Sequence, residues 1–356
     1  TTISMKHDSN KLHFQLPTQD CWSHTWRQPK PFIVECDHHN GERFFNEIRK
    51  PEGRSRWDLL RWLVKRKSNT WNVNRDLERL QFQHSPRALP QERPHALLED
   101  WQFWFIGHAT VLIQIGPYNI LTDPVWAEYV SPKQGKGPQR VCPAGIALEE
   151  LPTIHAVLLS HNHYDHMDLA SLTWLHNKFA MPIYTGLGNA VYLPSSFNVS
   201  ELDWWQSALF KDLKIVYTPA QHGSGRGFRD QNAALWGGFT ISTGEDYCFF
   251  AGDTGYSPHF KEIFRRFGAP RAALLPIIGA YEPRELMRYM HMNPEDAFQA
   301  HLDLQSRKSL AIHYRTFQLT DEPRDEPEQR FNQVIKSYSR LSYPFYCIRE
   351  GRRLSV

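Results

Sequence analysis

No C-x-x-C pair occurs in this chain, and its five cysteines (Cys21, Cys36, Cys142, Cys248 and Cys347) are widely spaced. An odd, scattered set argues against a disulfide framework and a thiolate metal module, and it suits a reducing, cytoplasmic setting. Long apolar runs are missing too, since none approaches the roughly 20 residues that span a bilayer. The opening Thr1-Thr2-Ile3-Ser4-Met5-Lys6 has no apolar leader core, so no export signal is expected. Excess charge of either sign is also absent: 41 Lys and Arg face 38 Asp and Glu. A net +3 makes no basic field, and no nucleic-acid partner is expected. What remains is the composition of a globular chain, 41 % apolar and 22 % charged over 356 residues, enough for one large domain or two ordinary ones.

Histidine, by contrast, is plentiful, and three of the 18 crowd into Ser160-His161-Asn162-His163-Tyr164-Asp165-His166. The apolar run 156–159 before this stretch reads as a buried strand. After it, Asp168 is a good N-cap, and Leu169, Leu172, Leu175 and Phe179 keep helical spacing. The run therefore sits on a strand-to-helix turn. A lone histidine is usually a satisfied core or surface residue, but an H-x-H-x-D-H run on one turn has no structural use. Alternation sends His161 and His163 to one side, and the tightening turn supplies Asp165 and His166. Two donors on each side suit two metal ions.

Residues 1–98 have weak periodicity and read as an N-terminal extension, with 99–356 as the main domain. His38-His39, beside the turn signal Asn40-Gly41, reads as a solvated loop. From Arg49 to Lys67, eight basic residues stand against two acidic ones, a net +6, while the rest of the chain nets −3. Trp57, Leu59, Leu60, Trp62, Leu63 and Val64 lie among them on an expected short helix. Such a helix either packs on the main domain with a solvated basic face or lies on a membrane surface. Pro86, Pro90 and Pro94 mark a linker.

From Trp101 the pattern is strand-like. Strands are expected at 101–105, 111–115 and 118–121, the last running into Thr122-Asp123-Pro124. Later come 215–218, 235–242, 247–250, 272–278 and 310–312, with helices at 258–267 and 294–304. Hairpins followed by strand–helix alternation, in two halves, predict two sheets with helices outside. His222, Asp253 and His313 each follow one of these strands, where loops on a rigid scaffold carry function. Singly, Asp253 could be a turn residue and His313 a core residue. Together with His161, His163, Asp165 and His166 they make five histidines and two aspartates, a donor set for two zinc ions. One carboxylate has to bridge, and Asp253, from the second half of the chain, is best placed. Asp123, at a strand end beside the histidine turn, is expected to orient a ligand histidine.

From about Trp101 to His313 the chain resembles the metallo-β-lactamase superfamily, and within it the N-acyl-phosphatidylethanolamine-hydrolysing phospholipase D family. The resemblance rests on Gly107-His108-Ala109-Thr110, Leu121-Thr122-Asp123-Pro124, the histidine turn, Glu201-Leu202-Asp203-Trp204-Trp205, Phe250-Ala251-Gly252-Asp253-Thr254-Gly255-Tyr256 and Gly279-Ala280-Tyr281-Glu282-Pro283-Arg284. It implies an α/β fold, the αββα sandwich of that superfamily. It also implies one zinc on His161, His163 and His222, a second on Asp165, His166 and His313, and Asp253 between them. His291 matches a histidine kept near the reacting phosphate, although it could instead cap the helix that begins near Pro294. With His291, Asp165 and Asp253 as catalytic groups, the expected reaction is attack of an activated water on phosphorus, leaving phosphatidic acid and an N-acylethanolamine. A lactone, a thioester or a non-lipid phosphodiester would suit the same ligands. The small residues Gly223-Ser224-Gly225 depart from the family pattern and read as a flexible stretch. Residues 1–98 match loosely, which suggests a bacterial relative, cytoplasmic or peripheral at the inner membrane face. The oligomeric state stays open, a homodimer included.

Overall fold

A computed structural model describes residues 37–48, 61–62, 64–65, 70–71, 88–133, 135–277, 284–338 and 343–356. Strand β1 (Trp101–Gly107) shows how the layers arise. Alternate side chains of a strand point to opposite faces. Phe103 and Phe105 enter one core with Val111, Ile113, Leu158, Tyr217, Phe239 and Phe249. Trp104 and Ile106 enter another with Leu112, Val157, Leu159, Leu172 and Leu175. All four β1 side chains are buried, so this sheet is covered on both faces and can be apolar throughout. Burying each such side chain contributes roughly 1.5–3 kcal/mol.

β2 (Thr110–Ile115) and β3 (Tyr118–Thr122) follow as antiparallel neighbours. β4 (Ala156–Leu159), β5 (Ile183–Gly186) and β6 (Val199–Leu202) then add in parallel. The second sheet repeats the plan. β7 (Ser207–Phe210), β8 (Leu213–Thr218), β9 (Gly238–Ser242) and β10 (Tyr247–Phe250) pair antiparallel. β11 (Ala272–Pro276), β12 (Ser309–Ile312) and β13 (Phe345–Tyr346) continue in parallel. β14 (Arg352–Ser355) returns to the edge of the first sheet beside β1. Helix α1 (Leu169–Phe179) covers the outer face of the first sheet through Leu172 and Leu175. On the second sheet α4 (Pro294–Leu304) packs against β11, flanked by α2 (His259–Phe267) and α5 (Glu326–Ser337). A short turn of helix, α3 (Arg284–Met287), precedes α4. Two sheets face to face with helices outside make the αββα sandwich expected from the resemblance.

The helices at 169–179 and 294–304 stand where they are expected. Asp168 accepts from Ala170 N, and Asn293 accepts from Asp296 N. Residues 235–237 do not join the expected strand over 235–242. Their backbone bonds run across to the first sheet instead, Leu235 N to Leu187 O and Gly237 N to Ser160 O. His38 and His39 are buried, not solvated: Asp203 accepts from His38 Nε2 at 2.7 Å, and Trp204 stacks on the ring at 4.7 Å. The basic segment 49–67 lies mostly outside the described residues. Within it, Arg61, Val64 and Lys65 are exposed, and Trp62 Nε1 donates to Asp321 Oδ2 at 2.6 Å.

Candidate metal centre

Five strands deliver the site residues at one edge of the sandwich. Asp123 follows β3, the histidine turn follows β4, His222 lies beyond β8, Asp253 beyond β10 and His313 directly after β12. Gly252 makes the close approach of the two halves workable. Its φ is +60°, and an added Cβ would lie 2.8 Å from Gly237 O and Ser160 Cβ. His108, Asp123 and His313 also have positive φ, at 56°, 32° and 61°. Strain of about 1–3 kcal/mol at each such position persists where the surroundings over-determine it.

His161, His163 and His222 form one cluster. His161 Nε2 lies 2.8 Å from His163 Nδ1, and His222 Nε2 lies 3.2 Å from that same atom. The opposite nitrogens are occupied. His161 Nδ1 donates to Ser160 Oγ, which donates to Asp123 Oδ2. His222 Nδ1 donates to Met290 O at 2.8 Å. His161 Nε2 and His222 Nε2 are therefore lone pairs that both converge on His163 Nδ1, an arrangement that a cation relieves. Burial holds both imidazoles well below their usual range, so they are neutral donors.

The second cluster is His108, Asp165, His166 and His313, whose donor atoms lie within 4.8 Å of one another. Asp165 Oδ2 stands 2.9 Å from His108 Nε2, 3.2 Å from His166 Nε2 and 3.4 Å from His313 Nε2. His166 is aimed by Asp123, whose Oδ2 accepts from Nδ1 at 2.6 Å while its Oδ1 accepts from Ser160 N. Asp253 lies between the clusters. Its Oδ2 is 3.2 Å from His166 Nε2 and 3.7 Å from His222 Nε2, and its Oδ1 is 3.0 Å from His313 Nε2. Burial alone would push the Asp253 carboxyl up, but His166 and His313 outweigh it and hold it well below the usual range. His313 shows the converse. Burial pushes it down, yet Asp253 and Asp165 raise it to about 9. Anionic oxygens and imidazole nitrogens at these spacings fit divalent ions, and His161, His163, Asp165, His166, His222, Asp253 and His313 are the residues that would hold them.

His291 lies on the open side, with its ring 4.9 Å from that of His222 and its Nδ1 3.7 Å from Asp253 Oδ2. Among the described residues that nitrogen has no hydrogen-bond partner, and burial lowers the imidazole to about 4. It caps no helix, because Asn293 fills that role. The stretch Gly223-Ser224-Gly225 is not loose: all three residues are buried, Ser224 Oγ donates to Ala234 O, and Gly225 N donates to Asn162 Oδ1 at 2.7 Å. Sequence reasoning assigned no role to His108 or Ser160. His108 could have been found by the rule that picked His313, since it directly follows an apolar strand. Ser160 carries no such signal.

Residues 118–314 match the family described as the beta-lactamase superfamily domain. Over 234 residues the chain is 40 % identical to an uncharacterized protein of Mycobacterium tuberculosis, covering 64 % of this chain and 62 % of that one. This chain thus spans under two thirds of that relative. Over 247 residues it is 35 % identical to the N-acyl-phosphatidylethanolamine-hydrolyzing phospholipase D 1 of Caenorhabditis elegans, covering 65 % of this chain and 68 % of that one. Among solved structures, an isothiocyanate hydrolase from Delia radicum gut bacteria superposes with a TM-score of 0.56 at 23 % identity, covering 72 % of this chain and 100 % of that one. That last likeness speaks to the fold alone.

Proposed function

Since this chain belongs to the metallo-β-lactamase superfamily, we propose that it is a dinuclear zinc phosphodiesterase of phospholipase D type, acting on N-acyl-phosphatidylethanolamine-like lipids. The observation that carries the reading is the place of Asp253, whose two oxygens lie within 3.7 Å of nitrogens from both clusters. Similarity to the nematode phospholipase D supports the substrate class. Two bound zinc ions would supply Lewis acidity toward the phosphoryl oxygens and an activated water. The chain's own residues hold and aim this centre. Asp123 fixes the tautomer of His166 and, through Ser160, that of His161. His108 donates to Asp165 and keeps that carboxylate turned inward. His291, neutral and, among the described residues, without a hydrogen-bond partner at Nδ1, would bond the phosphate or relay a proton taken from water to the departing alkoxide. The basic segment 49–67 is assigned to the lipid surface, where each Lys or Arg contributes about 1 kcal/mol. This is a peripheral role, and among the described residues no helix is long and apolar enough to cross a membrane.

Elemental analysis of the active protein, with turnover of bis(p-nitrophenyl) phosphate and of N-acyl-phosphatidylethanolamine vesicles, tests the proposal. Two ions per chain and hydrolysis of both substrates are expected. A single ion in fully active protein would refute the dinuclear centre. Turnover of lactones or thioesters with no phosphodiester hydrolysis would refute the substrate class.

A further inference from the structure

His222 stands four residues past the end of β8, on a loop rather than directly at a strand end. Its neighbours come from elsewhere in the chain. Asn46 Nδ2 donates to His222 O at 2.7 Å, and Asn46 Oδ1 accepts from His222 N at 3.0 Å. The same oxygen accepts from Trp236 Nε1 at 3.1 Å, which ties the pair to the core. Gln221 Nε2 donates to Ile48 O at 3.0 Å, and Phe44 N donates to Asn232 O at 2.9 Å. Residues 44–48 thus bracket the 221–232 loop at both ends.

The segment is itself anchored away from the centre. His38 lies in the Asp203–Trp204 corner, Phe45 N returns to His38 O at 2.9 Å, and Phe44 is 1 % exposed in the inter-sheet core. Both termini of the clamp are thereby fixed to the domain, and the Asn46 amide is left in one orientation. We infer that Asn46 is a positioning residue for the metal centre: residues 37–48, outside the matched family region, set the main chain of His222 so that its Nε2 meets His161 and His163. The inference rests on reading His222 as a ligand. Outer partners of metal ligands typically contribute 10–100-fold to affinity.

Zinc titration of the full-length apoprotein against a chromogenic chelator tests it, with His222→Ala identifying which step belongs to this cluster. In Asn46→Ala that step should weaken by about 10–100-fold while the other stays within about twofold. Asn46→Asp keeps both accepted bonds and loses the donated one, so it should fall between; it also serves if the alanine variant does not fold. Unchanged zinc affinity with a lowered melting temperature would overturn the inference, as would equal weakening of both steps. A native protein that takes up no zinc, or whose uptake His222→Ala leaves intact, would refute the ligand assignment of His222 itself, a separate failure.

Discussion

The two donor clusters of this protein are built in opposite ways. His161, His163 and His222 form an all-imidazole set, neutral when buried, and their third member is held by a distant segment through Asn46. His108, Asp165, His166 and His313 carry an anion of their own; His108 and His313 directly follow β1 and β12, Asp165 and His166 lie on the turn after β4, and Asp123 stands behind them. A dication in the first set would have no carboxylate within that set and would draw charge compensation from Asp253, whereas one in the second has Asp165 among its own members. The second cluster is thus expected to be the tighter, and the first the more easily emptied.

Removing the shared oxygen breaks the comparison outright. Asp253→Ala should release at least one ion and abolish phosphodiesterase activity. Circular dichroism and melting should stay near native, because the sheets carry the fold. Retention of both ions by ICP mass spectrometry would show that Asp253 joins nothing. A smaller effect is expected from His291, which lies near His222 and His313 and is proposed to hold no ion. His291→Asn should keep both ions and lower kcat by roughly 10²–10⁴-fold. Loss of metal would make His291 a ligand, and an unchanged kcat would leave it structural.

The smallest effect sharpens the contrast from the side of the clamp. Burial pushes the His38 imidazole down, but its bonds to Asp203 and Asp37 outweigh that and raise it to about 9. A histidine raised above its free value of about 6.5 contributes stability that is complete below that pH and lost as pH rises through the folded value. The melting-temperature gap between native protein and His38→Gln should therefore be widest near pH 6 and narrow steadily toward pH 9. A gap independent of pH would mean that the ion pair with Asp203 contributes nothing to anchoring the segment.

Much of this was legible in local pattern. Strand β4, the histidine turn and helix α1 could be read in order, because a buried apolar run, a crowd of donors and an N-cap are each decided by neighbours in sequence. His222, Asp253 and His313 could be picked out as strand-end residues, while their division between two clusters came from the family resemblance and not from local pattern. Residues 235–237 misled, since their apolar pattern suits a strand while their hydrogen bonds go to the opposite sheet. His38 misled for the same kind of reason. A His-His pair beside Asn-Gly looks solvated until Asp203, 165 residues away, supplies a buried partner.

By itself, then, the sequence determined the layers and the donor set, because side-chain alternation and residue chemistry are local properties. Tertiary structure alone decided which donors meet. The parting of the six other candidate ligands around Asp253, the inward turn of His108 on Asp165 and the Asn46 clamp on His222 all join residues far apart in the chain. Such pairs leave no periodic trace, since their geometry is created only when two sheets pack and bring their strand ends to a single edge.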